Sequence, residues 1–306
     1  MDLLSQTRSI QLKSWAAELG FDGCGISKAD FLEKEAQRLE KWLKGGRHGK
    51  MTYMENHFDM RLDPRILMPG TKSIVSLSFN YFPSETKTKT DVLISKYAYG
   101  EDYHVVIKDK LKILMSKMRE HWGEVQVRAF VDSGPLLEKA WAARSGIGWM
   151  GKNGNIITKG RGSFFFLAEV LVDVPLEEDH EVKDHCGTCR ACIDACPTKA
   201  IIAPMQVDGS RCISYFTIEL REEISEEWKG KWSDWIFGCD ICQDVCPWNR
   251  FSKPTQEQRF NPNEYIDFDR EDWQKIGEDI FRKIVKGSAL ERPKWAGFMK
   301  NLKHLS

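Results

Sequence analysis

Apolar residues recur at helical spacing from Ser5 to Leu19, a run that stops at Gly20, and again from Asp30, placed to cap a helix, to Leu43 before Gly45-Gly46. Runs rich in β-branched and aromatic residues follow at Ser73 to Asn80, Val125 to Val131, Asn155 to Thr158 and Ser163 to Val172, and these predict strands. A long amphipathic helix pattern from Asp102 to about His121 separates the first two, and Leu136 to Ser145 predicts another helix. Interleaved in this way, the elements predict an α+β sandwich rather than a plain βαβ array. After Pro175 the stretch from Leu176 to Asp184 carries Glu177, Glu178, Asp179, Glu181 and Asp184 against one lysine, the composition of a solvated linker. Apolar periodicity then gives way to cysteines up to about residue 250, and helix patterns return at Arg270 to Lys286 and Pro293 to Leu302. The expected division is residues 1–178, 179–252 and 253–306.

Composition narrows the partners. Over 306 residues, 45 lysines and arginines balance 45 acids, so no global basic field announces a nucleic-acid binder. Charge is uneven along the chain: from Arg282 to His304 seven lysines and arginines face one acid, Glu291. That segment is either a phosphate-binding surface or an ordinary solvated helix face. No run of about 18 apolar residues exists to span a membrane. The first twenty residues are polar and amphipathic, unlike an export signal, so the expected location is the reducing cytoplasm.

Eight of the nine cysteines form two interlocking runs. Cys186, Cys189, Cys192 and Cys196-Pro197 have the C-x2-C-x2-C-x3-C-P spacing of bacterial ferredoxins, in which the fourth cysteine serves the other cluster. Cys239, Cys242 and Cys246-Pro247 repeat the ending, with the first ligand displaced to Cys212. Cys186, Cys189, Cys192 and Cys246 are therefore assigned to one four-iron, four-sulfur cluster and Cys196, Cys212, Cys239 and Cys242 to the other. Structural zinc fits less well, because its knuckles pair across a longer loop. Disulfides need an oxidising compartment. Cys24, in Asp22-Gly23-Cys24-Gly25, reads as a small buried hydrophobe.

Clusters move single electrons, so the first domain must receive them or hold a substrate. It contains neither G-x-G-x-x-G after a strand nor a phosphate-binding G-x-x-x-x-G-K-[ST]. Instead, Gly146, Gly148, Gly151 and Gly154 crowd one short segment, either to let backbone approach a large ligand or to make a tight helix-to-strand connection. Asp132 follows the apolar strand ending at Val131. A buried acid there has a raised pKa and serves as a general acid; alternatively Asp132 or Ser133 caps the next helix.

Lys96-Tyr97-Ala98-Tyr99-Gly100 with Asp102-Tyr103-His104, Val131-Asp132-Ser133-Gly134-Pro135, Gly146-Ile147-Gly148-Trp149 with Gly151-Lys152-Asn153, and Cys246-Pro247-Trp248-Asn249 together resemble the epoxyqueuosine reductase family. The resemblance covers about residues 1–250. It implies a nitroreductase-like cobalamin domain, a ferredoxin-like dicluster domain and a short helical C-terminal segment, shorter than the helical repeats many members carry. It also implies reduction of epoxyqueuosine to queuosine at the wobble position of tRNAs with GUN anticodons, using cobalamin, two clusters and a low-potential electron donor, by a monomer. Asp132 takes the proton-donor position. Arg61, Lys152, Asn153 and Ile156 take cobalamin-contact positions, with Ser95, Leu167, Ser214 and Gln243 as further contacts. Two rivals stand beside this reading: a corrinoid-dependent reductive dehalogenase, whose usual export signal is missing here, and a non-catalytic dicluster electron carrier.

Overall fold

Four antiparallel strands in the order β1 (Gly23–Lys28), β2 (Ser73–Asn80), β4 (Phe165–Val172) and β3 (Val127–Phe130) form the sheet around which the first half of the chain is built. The structure, a computed structural model, describes residues 3–84, 91–232 and 234–305. β2 and β4 pair in register from Ser73 opposite Val172 to Asn80 opposite Phe165. Strand periodicity assigns the faces. Val75, Leu77 and Phe79 of β2 and Phe166, Ala168, Val170 and Val172 of β4 join a core closed by helices α1 (Leu3–Glu18) and α3 (Tyr103–Trp122). On the other face Ile74, Leu171 and Phe130 meet Trp141 of α4 (Glu138–Arg144), whose ring is fully buried. There α4 ends so close to β1 that a Cβ on Gly25 would lie 2.1 Å from the Ser145 carbonyl oxygen.

Beyond the sheet, Ile213, Phe216, Ile236 and Phe237 from the cysteine-rich segment share a core with Trp273, Phe281, Phe298 and Leu302 from the chain's end and with Val92, Ile94 and Tyr99 from near its first third. Apolar burial at about 25 cal/mol per Å² is the main force joining these segments. A buried polar seam adds direction. Gln243 Nε2 donates to Ser163 O at 3.0 Å, Ser163 N to Asn249 Oδ1 at 2.6 Å, and Asn249 Nδ2 to Gln243 O at 2.6 Å, so the second cysteine run is sewn to the turn that enters β4.

Several expectations are corrected. α2 is Glu33–Lys44 with Leu32 before its first residue, so Asp30 is no cap; its carboxylate accepts from the adjacent Phe31 N–H. The helix expected over residues 270–286 is two, α7 (Arg270–Lys275) and α8 (Glu278–Ile284), parted where Gly277 is extended. The acidic stretch is no free linker: Leu176 is buried, and Asp179 accepts from Ile26 N at 2.9 Å and from Lys13 Nζ at 2.6 Å. The basic tail is partly internal. Lys300, on α9 (Lys294–His304), is buried and donates to the carbonyls of Phe216 and Leu220 at 2.9 and 2.6 Å, and Arg292 pairs with Glu219 at 3.2 Å. Among the described residues, no helix is long and apolar enough to cross a membrane.

Candidate active site

β3 ends at Phe130, Val131 is buried, and the chain then turns sharply, with Asp132 at φ 48°. A left-handed residue re-aims the next side chain, and aspartate tolerates that conformation better than most. The turn is fastened because Asp132 N donates to Glu138 Oε1 at 2.6 Å across the loop. It is also tight against the strand, since a Cβ on Gly134 would lie 2.2 Å from the Phe130 ring.

The consequence is that Asp132 is not the buried acid that its place at the end of an apolar strand implied; its side chain is 65% exposed. Nor does it cap α4, which is preceded by Leu137 with no side-chain cap. It faces a functional neighbourhood instead. Tyr103 OH donates to Asp132 Oδ2 at 2.6 Å, and His104 Nε2 lies 4.0 Å from the same oxygen. The Tyr103 ring is clamped between His104 (ring centroids 4.1 Å apart) and Phe166 (4.2 Å, nearly parallel). His104 is oriented by Asp102, whose Oδ1 lies 2.7 Å from Nδ1 and also accepts from the His104 backbone N–H at the start of α3. Burial and then the Asp132 charge push the Tyr103 phenol far upward, so it remains a donor. Burial alone would lift Asp102, but the His104 hydrogen bonds hold its carboxyl below the usual range.

Two further acids lie behind the loop. Burial, followed by the Asp132 charge, pushes Glu138 up to about 8. Glu169, in mid-β4 opposite Ser76 and Phe130, is fully buried, and neither of its oxygens has a hydrogen-bond partner. Burial, then Glu138, drives it well above the carboxylate range, with the neighbouring Ser76 hydroxyl only easing its charge. A signal for Glu169 was available in the sequence, since it is the one charged residue in Phe165–Val172.

In front of Asp132 opens a cavity of about 2480 Å³, walled by α2, α3, the Asp132 loop and the cysteine-rich segment. That exceeds the range of about 300–1,000 Å³ for drug-sized ligands and leaves room for a large cofactor together with a nucleotide. Of the residues expected to meet cobalamin, Arg61, Ser95, Asn153, Ser214 and Gln243 line it with Asp132. Arg61 is held by the carbonyls of Tyr53 at 2.8 Å and Asn56 at 3.1 Å, and Ser95 donates to buried Asp240. Lys152, Ile156 and Leu167 are not brought to this wall. Lys152 donates to Gly187 O at 2.6 Å and Cys189 O at 2.8 Å beside a smaller cavity of about 230 Å³, while Ile156 and Leu167 pack in an apolar cluster under α4. The glycine segment also serves packing, because a Cβ on Gly148 would lie 2.2 Å from Ile157 O.

The eight cysteines of the two runs line two neighbouring cavities. Burial raises the Cys192 thiol, and the thiols adding to the effect are Cys246, Cys186 and Cys189. Around Cys242, burial is reinforced by Cys212, Asp240, Cys196 and also Cys192 of the other run, and around Cys239 by Cys212, Cys242 and Asp240. Cys196, Cys212, Cys239 and Cys242 all border the large cavity; Cys186, Cys189, Cys192 and Cys246 line the small one, where Trp149 Nε1 donates to Cys186 Sγ at 3.4 Å.

The family model described as 4Fe-4S double cluster binding domain matches residues 185–249, and that described as Epoxyqueuosine reductase QueG, DUF1730, matches residues 61–133. The chain is 58% identical to the epoxyqueuosine reductase of Cellulophaga algicola over 96% of each chain. To that of Escherichia coli it is 39% identical, over 95% of this chain and 79% of the relative. A crystal structure of epoxyqueuosine reductase with an epoxyqueuosine-modified tRNA stem loop superposes with a TM-score of 0.88 at 29% identity, covering 97% of this chain and 79% of that one. The Bacillus subtilis enzyme, with its catalytic loop swung out of the active site, superposes with 0.87 at 28% identity over 97% and 79%.

Proposed function

The chain belongs to the epoxyqueuosine reductase family, and from that premise we propose that the cavity before Asp132 is where the epoxide of epoxyqueuosine in tRNA is reduced to give queuosine. The observation that carries this reading is the placement of the Asp132–Tyr103 pair and the inner cysteines, Cys196, Cys212, Cys239 and Cys242, on the walls of one cavity. Replacing an epoxide by a carbon–carbon double bond takes two electrons and two protons and releases water. An alkoxide leaves poorly unless an acid protonates it. Asp132 is the acid at hand: exposed to the cavity, fixed through its main chain by Glu138 and through its side chain by Tyr103.

Cobalamin bound in this cavity supplies two-electron reducing power at cobalt. Arg61, Ser95, Asn153, Ser214 and Gln243 are the residues that would hold it, and the wall they make is wide enough to accept it. The two cysteine sets, crossed as assigned, would hold clusters that deliver electrons singly, with the Cys186, Cys189, Cys192 and Cys246 set nearer an outside low-potential donor. Tyr103 and His104 keep Asp132 aimed and hydrogen-bonded.

An anionic substrate would be met by Lys34, Arg38 and Lys41 along one face of α2 and by Arg144 and Lys294, cations set among Glu33, Glu35 and Glu291 at the same opening. A tRNA substrate points to the cytoplasm. The test is conversion. Anaerobically reconstituted protein with a low-potential reductant should turn epoxyqueuosine-tRNA into queuosine-tRNA, followed by mass analysis of the digested nucleosides. No conversion by protein with full cluster and corrinoid absorption would refute the proposal.

A further inference from the structure

We propose that Lys152 sets how readily the outer cluster, the one assigned to Cys186, Cys189, Cys192 and Cys246, takes up an electron, its ammonium standing as a fixed positive charge on the loop that carries two of those cysteines. The inference rests on the two clusters and not on the epoxide chemistry, so it is read without any tRNA. One electron leaves the low-potential donor and enters the cluster; no bond forms or breaks. That step adds one negative charge to the cluster and its four thiolates, and a cation held nearby favours the reduced form.

Lys152 stands in the turn between two short paired strands, Trp149–Met150 and Ile156–Ile157. The turn is fixed, because Gly151 N donates to Asn155 O at 2.8 Å and Ile156 is buried in the apolar cluster under α4. From it three side chains reach the cysteine-rich segment. Lys152 Nζ donates to Gly187 O at 2.6 Å and Cys189 O at 2.8 Å, Trp149 Nε1 donates to Cys186 Sγ at 3.4 Å, and Asn153 Nδ2 donates to Cys242 O at 3.2 Å. The charged contact goes to the outer set and the neutral amide to the inner one. The lysine that the resemblance puts at cobalamin is thus committed to the outer cysteine loop. Among the described residues its ammonium has carbonyls for partners and no carboxylate, and no carboxylate lines the cavity it shares with the four outer thiols. The acids on the flanking chain are engaged elsewhere: Asp184 accepts from Cys186 N at 2.7 Å, and Asp194 pairs with Arg190 at 3.2 Å. His185 and Arg250 border the same cavity but are exposed, so salt screens them more than the half-buried Lys152. A clamp on two carbonyls would need only two donor hydrogens, which a neutral amide also has.

Lys152→Gln separates charge from clamp, because the amide keeps two donor hydrogens and loses the charge. The reconstituted protein is titrated anaerobically with a chemical reductant, and electron paramagnetic resonance gives the midpoint of each cluster. In Lys152→Gln one midpoint should fall by about 59 mV, a shift of about tenfold toward the oxidised form, while the other moves by less than about twofold. Trp149→Phe, which removes the N–H donated to Cys186 Sγ, should lower the same midpoint and so identifies it as that of the outer cluster. Lys152→Arg keeps the charge and should stay within about twofold of wild type. Unmoved midpoints in Lys152→Gln at full iron content overturn the proposal, and so does a fall confined to the cluster that Trp149→Phe leaves alone. A Lys152→Gln protein that holds only half its iron, with Lys152→Arg no better, makes the lysine a clamp and overturns it as well; half iron in Lys152→Gln with full iron and an unshifted midpoint in Lys152→Arg keeps the charge as the working feature. None of these outcomes touches the reductase reading, which the conversion assay decides by itself.

Discussion

Asp132→Asn tests the acid without disturbing the loop that carries it. Asparagine keeps an oxygen for the Tyr103 hydroxyl, now 2.6 Å from Oδ2, and keeps the backbone N–H that meets Glu138. It also tolerates the φ of 48°, where alanine would add strain of about 1–2 kcal/mol. Because the side chain is 65% exposed, little packing is at stake and the change in stability should stay within about 0.5 kcal/mol. Turnover should respond very differently. A positioned general acid is worth about 10²–10⁴ in rate, or about 3–5 kcal/mol of barrier at about 1.4 kcal/mol per decade. The assay pairs single-turnover conversion with a thermal melt and corrinoid and cluster spectra on one preparation. Turnover within about threefold of wild type would refute the acid role, and a melting point lowered by many degrees would return Asp132 to structural duty.

Asn249→Ala leaves Ser163 N without its partner, at about 1–3 kcal/mol, and takes from Gln243 O one of two donors, the Cys246 N–H remaining, and should speed iron loss on mild heating; an unchanged rate would mean the polar seam does not hold the second cysteine run. Glu169→Gln should raise stability increasingly with pH. A carboxyl raised in the folded state is stabilising below its ordinary value of 4.5 and loses that contribution as pH climbs toward its folded value, whereas glutamine has no such loss; parallel melting-point profiles for the two proteins would contradict this. Reversing the charge of Lys34 and Lys41 on the cavity rim should weaken tRNA binding and lower its salt slope by about 1 per lost phosphate contact, while reversing Lys283 and Lys286, outside the cavity wall, should not; the opposite outcome would move the RNA surface to the tail.

What the sequence makes legible follows from how local each signal is. β2 runs from Ser73 to Asn80 as its apolar run predicts, and Asp102 caps α3 because a side-chain oxygen before a helix has one short-range partner, the His104 N–H. The cysteine runs are legible for a similar reason, since ligand spacing is a property of a few neighbouring residues. Asp132 is the instructive miss. The apolar strand carries the expectation of burial one residue too far, because a single left-handed residue follows it and turns the side chain outward. Nothing in Val131-Asp132-Ser133 signals that reversal; it is imposed by Gly134 against Phe130 and by the hydrogen bond that Asp132 N donates to Glu138 across the loop.

The basic tail fails as a pattern for a different physical reason, and its failure changes what α9 does. Counting charges treats every lysine as solvated, yet Phe298, Asn301, Leu302 and Leu305 form a buried stripe at helical spacing, and Lys300 is buried on its edge. A buried ammonium needs acceptors, and it finds the carbonyls of Phe216 and Leu220, while Asn301 donates to Thr217 O at 2.7 Å and Ile236 O at 3.0 Å. Those carbonyls belong to the π-helical turn Tyr215–Glu219, just after Cys212 and Ser214, to Leu220 that follows it, and to the strand Trp235–Phe237 that leads to Cys239. α9 carries no cysteine, but it fixes the backbone on which two inner-set cysteines stand. The end of the chain is therefore tied to electron delivery through packing, and cutting it back would disturb Cys212 and Cys239 before it told anything about RNA.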